Sequence, residues 1–195
     1  MNRVRVGMRP LLIAMAPSCA GCAMTVVPPI APEQPTTVFL ADHGRHASLL
    51  LPSDDDKALV EYAYGDWNWF ALGHDGPLDV VPTLFLPTQG ALGRREWPKF
   101  DSAAAAEDAT GCEIVHALIV PRTSAFQLRR RLDARFESKI DTRYDSADAG
   151  LTFVHDDRPY SLLTGCNVTM AMWLRELDCE VRGCSLNAEY HIRER

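Results

Sequence analysis

At 195 residues, with 47% hydrophobic residues and a formal net charge of −6, the chain is long enough for one domain with a real core. The balance is mildly acidic, 20 Lys and Arg against 26 Asp and Glu, with no basic block. That argues against nucleic acid as a partner.

The first residues carry an address. Arg3, Arg5 and Arg9 precede the apolar run Leu11-Leu12-Ile13-Ala14-Met15-Ala16, and small residues then lead up to Cys19 and Cys22. This order is that of an export signal, placed at residues 1–21. The run is shorter than the roughly 20 residues a membrane span needs, so it is expected to be removed. Cys19-Ala20-Gly21-Cys22 resembles a lipoprotein lipobox, although Cys19 stands where Leu is usual. The expectation is acylation at Cys22 and a periplasm-facing, lipid-anchored protein of the bacterial cell envelope, with simple secretion as the alternative. Acyl chains hold well because each buried methylene contributes about 0.8 kcal/mol. Residues 22–36 are proline-rich and read as a tether, which leaves residues 37–195 as the domain.

The domain opens with Thr37 to Asp42, a strand by its β-branched and aromatic content, and a turn at His43-Gly44-Arg45. His46 to Leu51 reads as a second strand closed by Pro52, and Ala58 to Tyr64 as a third that ends at Gly65-Asp66. Trp67, Trp69 and Phe70 form core or pocket wall. Residues 73–108 give no clear period and read as loops with short helices. Glu113 to Val120 is the strongest strand, ended by Pro121. Ser124 then caps a helix with Leu128, Leu132 and Phe136 on one side. Arg129, Arg130, Arg131 and Arg135 form its wetter side, most simply a solvated face, with anionic lipid as the sharper reading. Cys166 to Leu177 reads as an amphipathic helix with Cys166 at its start, and Ser185 to Ile192 as a strand or irregular tail.

A thiol is a useful nucleophile as the thiolate, which a helix N-terminus favours. Cys166 has that placement. His46, at a strand start, is the candidate base, and Glu61 on the next strand the candidate orienting residue, with Asp66 in reserve. His43, Asp66, Asn167 and Trp67 are candidate pocket residues. An oxidising compartment permits disulfides; Cys179 and Cys184 are close enough in sequence to pair, and Cys112 competes for either. His43, His46 and His74 with Asp42, Asp66 or Asp75 make only a weak zinc pattern, so no metal and no cofactor is expected. There is no phosphate loop and no Gly-x-Ser-x-Gly elbow.

His46-Ala47-Ser48-Leu49-Leu50-Leu51 and Thr164-Gly165-Cys166-Asn167, in that order, resemble the circularly permuted branch of the papain-like NlpC superfamily. Together with His43-Gly44-Arg45-His46 and Glu61-Tyr62-Ala63-Tyr64-Gly65-Asp66-Trp67, they look like a family of uncharacterised bacterial proteins, many of them lipoproteins. The resemblance spans about Thr37 to Leu177. It implies an α+β papain-like fold, an antiparallel sheet with the cysteine-bearing helix packed on it, and the roles of nucleophile for Cys166, base for His46 and orienting residue for Glu61. The corresponding function is a cysteine-dependent hydrolase or acyltransferase acting on an amide, ester or thioester, with cell-wall peptide or an acyl group as substrate. The alternative from another class is a lipid-anchored binding or scaffold module of the same shape without turnover.

Overall fold

The computed structural model describes residues 23–44, 46–73, 86–161, 164–183 and 189–194. The expected export segment, Cys22, His74, Asp75 and Cys184 lie outside them. The strands are β1 (Met24–Val27), β2 (Pro35–Asp42), β3 (Ala47–Pro52), β4 (Ala58–Asp66), β5 (Thr88–Pro98), β6 (Ile114–Pro121), β7 (Tyr144–Ser146), β8 (Leu151–Tyr160), β9 (Glu180–Arg182) and β10 (Tyr190–Ile192). The α-helices are α1 (Ala103–Thr110), α2 (Arg122–Glu137) and α3 (Cys166–Glu176). No helix among the described residues is long and apolar enough to cross a membrane.

The protein is α+β, with mostly antiparallel sheets and a few helices. Seven strands in the order β6-β2-β3-β4-β5-β8-β7 form the main sheet, and every neighbouring pair is antiparallel. Side chains alternate across it. Leu40, Leu49, Leu51, Val60 and Tyr62 face α2 and α3, where Leu128, Leu132, Met170, Trp173 and Leu174 complete the larger core. Phe39, Ala41, Leu50 and Leu59 face the other way, against Phe100 and Ala106. Both faces of the central strands are therefore buried, which explains why β3 reads as an unbroken apolar run.

The helix that carries Cys166 is held by its apolar stripe. Met170, Trp173, Leu174 and Leu177 recur at the spacing that places them on one face, and all are buried against the sheet. Gly165, extended at φ −65° and ψ 179°, stops the helix from starting earlier. At the other end Asp178 takes a left-handed φ of 63°, and the Cys179 N–H donates back to the Leu174 carbonyl at 3.1 Å.

Several expectations are corrected. The segment read as a tether contains β1, whose Met24 and Val26 are buried in the main core. β1 pairs with β10 in parallel and with β9 in antiparallel fashion, because the apolar run Met24-Thr25-Val26-Val27 precedes the prolines. The folded unit thus includes β1, ahead of Thr37. Two strands, β5 and β8, occupy stretches without a legible period. β5 contains Gly90 and Gly93, which neighbouring groups approach closely: a Cβ on Gly93 would lie 2.6 Å from the Phe153 ring. Ser124 does not cap α2, which starts at Arg122 after Pro121; its hydroxyl donates to Asp178 at 2.7 Å. The arginines of α2 are paired, Arg129 and Arg130 with Asp54, Arg131 with Glu176 and Arg135 with Asp156, and Arg129 is buried rather than on a wet face.

The Gly93 contact makes a direct test. Gly93→Ala drives a methyl into the Phe153 ring and should cost about 1–3 kcal/mol, seen as a lower urea midpoint at unchanged slope. An unchanged midpoint would contradict the pairing of β5 with β8.

Candidate functional site

The tight reversal between β2 and β3 sets the geometry. The His43 N–H donates to the His46 carbonyl at 2.9 Å, and Gly44 takes a φ of 79°, a conformation glycine adopts without penalty. The Gly44 N–H donates to the Asp42 carboxylate at 2.7 Å, tightening the turn. His43 and His46 thereby face each other across the hairpin, and their rings stack with centroids 4.5 Å apart and planes within 9°. Phe70 meets the His46 ring edge-on at 4.7 Å.

His46 and Cys166 line one cavity of about 280 Å³, together with Tyr64, Gly65, Asp66, Trp69, Phe70 and Tyr160. It lies where the end of β4, the end of β8, the start of β3 and the start of α3 converge. Gly165 admits the close approach of the Tyr160 ring, whose oxygen would be 3.6 Å from a Cβ there. The Tyr160 hydroxyl lies beside the Cys166 sulfur and favours its anion, and the thiol faces Asn167 Oδ1 at 3.7 Å. At the head of a helix the first amides have no intrahelical acceptor, and those of Cys166 and Asn167 stabilise the sulfur anion.

Burial dominates the protonation of both Cys166 and His46. Desolvation raises the Cys166 thiol above its usual range, against the opposing pull of Tyr160 and the two amides. Desolvation, aided by repulsion from His43, pushes His46 down to about 4. At neutral pH the pair is therefore a neutral thiol and a neutral imidazole. No hydrogen bond joins His46 to Cys166 among the described residues.

The other expected site residues divide. Asp66 lines the cavity, but both its oxygens are engaged, one accepting from the Trp69 N–H at 2.8 Å and the other from the Thr88 hydroxyl. It builds the aromatic wall. Asn167 is buried beside Cys166. Trp67 does not line the cavity: it packs edge-on against His155 at 4.2 Å. Residues Trp67–Ala71 form a π-helical turn closed by the Leu72 N–H on the Trp67 carbonyl, and two residues of so wide a turn put Trp69 on the opposite side. Tyr64 and Tyr160 are the cavity residues that sequence reasoning missed, whereas Trp69 and Phe70, read as core or pocket wall, stand in that wall. The alternation Tyr62-Ala63-Tyr64 was the available signal for Tyr64, and the position of Tyr160 just before the Cys166 segment was the one for Tyr160.

Glu61 is not brought to His46. Its carboxylate, buried on the opposite face of β4, accepts from Ser48 Oγ at 2.5 Å and from the Trp97 indole at 2.7 Å. Ser48 in turn lies 3.2 Å from His43 Nε2, and the Cys112 sulfur is 3.2 Å from His43 Nδ1. Glu61 thus faces His43 through Ser48. Cys112, Cys166 and Cys179 are free thiols. The expected pairing of Cys179 with Cys184 is therefore not found; Cys179 is buried, its thiol raised to about 12 by desolvation. Among the described residues no group of His, Cys, Asp or Glu is arranged to hold a metal ion.

The low affinity of His46 for protons links to stability. An unfolded histidine takes up a proton at its ordinary value of 6.5, whereas folded His46 stays neutral down to about 4. In that window the unfolded state binds more protons, so stability should fall with falling pH, by about 3 kcal/mol for this group alone. His43, also lowered by burial, adds in the same direction. Urea unfolding of His46→Asn should show a flatter decline between pH 6.5 and 4 than the parent; parallel declines would contradict a desolvated His46.

A scan of family models gives no match to this chain, a search of curated proteins gives none, and no solved structure matches it.

Proposed function

We propose that this chain is a cysteine-dependent hydrolase or acyltransferase of the bacterial cell envelope, with a fold of the permuted papain-like NlpC type. Cys166 is the nucleophile and His46 its base. The observation that carries this reading is the shared cavity. A thiol at the first position of a helix and an imidazole from a distant hairpin open into the same space, lined on its remaining sides by aromatic rings.

The chemistry follows from the resting protonation states. A carbonyl entering beside the sulfur meets a thiol that loses its proton to His46 as the sulfur–carbon bond forms. The Cys166 amide and the Tyr160 hydroxyl supply donors for the oxygen that becomes negative. His46 has ring neighbours in place of a carboxylate, so its imidazolium is poorly stabilised and returns the proton readily to the leaving group. A cavity of about 280 Å³ with Trp69, Phe70, Tyr64 and Tyr160 in its wall suits a compact acyl group or one apolar side chain, in keeping with an acyl or cell-wall peptide substrate.

The envelope address rests on the basic and apolar start and on Cys22. Ala23 follows Cys22 directly and β1 begins at Met24, so an acylated Cys22 would hold the small sheet within a few ångströms of the bilayer surface, at about 3.5 Å of reach per residue. Labelled palmitate should be incorporated by the parent and lost in Cys22→Ser. Undiminished incorporation in that variant would contradict the anchor, and a protein released from cells without lipid would point to secretion.

Alkylation by iodoacetamide, followed peptide by peptide, tests the nucleophile. Cys166 should react about tenfold faster than the buried, imidazole-free Cys179, and His46→Ala should remove that advantage. Equal slow reaction of both would favour the non-catalytic binding module. With increasing pH the Cys166 rate should rise above the ordinary thiol range, with no inflection between pH 6 and 7, because His46 is already neutral there. An inflection near 6.5 would mean that His46 is hydrated. On a substrate once found, His46→Ala should lower turnover by about 10²–10⁴-fold.

A further inference from the structure

The hairpin carries a second imidazole, and behind it stands a complete set of partners. The Glu61 carboxylate only accepts, so Ser48 must donate to it across their 2.5 Å separation. With its proton committed, Ser48 Oγ can only accept from His43 Nε2 at 3.2 Å. In neutral His43 the proton therefore sits on Nε2, which leaves Nδ1 as the basic nitrogen, and the Cys112 sulfur lies against the ring, 3.2 Å from Nδ1 and 3.4 Å from Nε2. The Trp97 indole fixes the second Glu61 oxygen. The Glu61 and Asp42 charges favour the imidazolium form of His43. Cys112 thus has what Cys166 lacks, an imidazole in hydrogen-bond reach with a carboxylate behind it.

This array opens on a different space from the one already described. Cys112 and His43 line a cavity of about 560 Å³ with Asp42, Gly111, Glu113 and Glu189. The carboxylates in that wall favour a cation.

We propose that Cys112 is a second nucleophilic thiol, with His43 as its base and Ser48 and Glu61 as positioning residues, and that it accepts an acyl group from an ester or thioester donor bearing a positive charge. The Cys112 proton passes to His43 Nδ1 as the sulfur–carbon bond forms. The carbon–oxygen or carbon–sulfur bond of the donor breaks, and the departing alkoxide or thiolate takes the proton from Nδ1. The product is a thioester on Cys112 and the neutral leaving group.

The test uses the full-length purified protein carrying Cys166→Ala, with p-nitrophenyl 4-guanidinobenzoate as the cationic donor and p-nitrophenyl benzoate as the neutral one. Nitrophenol release and peptide mapping by mass spectrometry give rate and location. The guanidinobenzoyl group should appear on Cys112, about tenfold faster than the benzoyl group and well ahead of Cys179. His43→Gln should slow it about a hundredfold. Glu61→Gln should slow it about tenfold without changing the half-saturating donor concentration, which a purely structural role for Glu61 would not do. Thermal unfolding of each variant separates misfolding from loss of reactivity. Acylation of Cys112 no faster than of Cys179, or undiminished in folded His43→Gln, overturns the proposal. In the protein with both thiols intact, acyl on Cys166 alone overturns this proposal and leaves the proposed function standing, whereas acyl on Cys112 alone does the reverse.

Discussion

The stacked pair His43 and His46 is the contact on which the rest of the site depends. A single backbone hydrogen bond, from the His43 N–H to the His46 carbonyl, and a left-handed Gly44 close the hairpin so that these side chains lie opposite one another. Each ring then serves a different side of the molecule. His46 opens into the aromatic cavity beside the head of α3, and His43 reaches across to Cys112 and Ser48. A hairpin with one extra residue would set the rings out of register and separate each from its neighbouring thiol.

Stacked imidazoles cannot both be protonated cheaply, and His46, the more enclosed of the two, is further desolvated. The burial that builds the core also sets the resting charges, because desolvation favours neutral rings and neutral thiols. The asymmetry between the two rings follows from what stands behind them. His43 feels the carboxylates of Glu61 and Asp42, whereas His46 is packed between His43 and Phe70. Carboxylates therefore offset the desolvation of the ring next to Cys112, while the aromatic lining belongs to the cavity of Cys166.

Much of the frame was legible because its periods are strong. β2, β3, β4, β6 and α3 announce themselves by β-branched runs and by the spacing of Met170, Trp173, Leu174 and Leu177. β5 and β8 did not, since Gly90 and Gly93 serve close ring and backbone approaches and His155-Asp156-Asp157-Arg158 breaks the apolar alternation. β1 was hidden by the prolines that follow it. At the site, Cys166 could be found because it starts a helix, and His46 because it directly precedes the apolar run of β3. Glu61 could not be assigned to the right histidine, because His46 lies in the turn before β3, where strand alternation no longer fixes side-chain direction, whereas Glu61 and Ser48 share a face inside the sheet. Trp67 was mistaken for Trp69 because a π-helical turn has a width that no residue pattern declares.

The central claim is that one hairpin holds two stacked imidazoles in distinct states. Nitrogen-15 NMR of the imidazole rings reads this directly. The account predicts a His46 ring that stays neutral until close to pH 4 and a His43 ring that at neutral pH is the neutral form with its proton on Nε2. Two rings titrating independently near 6.5, each exchanging between tautomers, would contradict it.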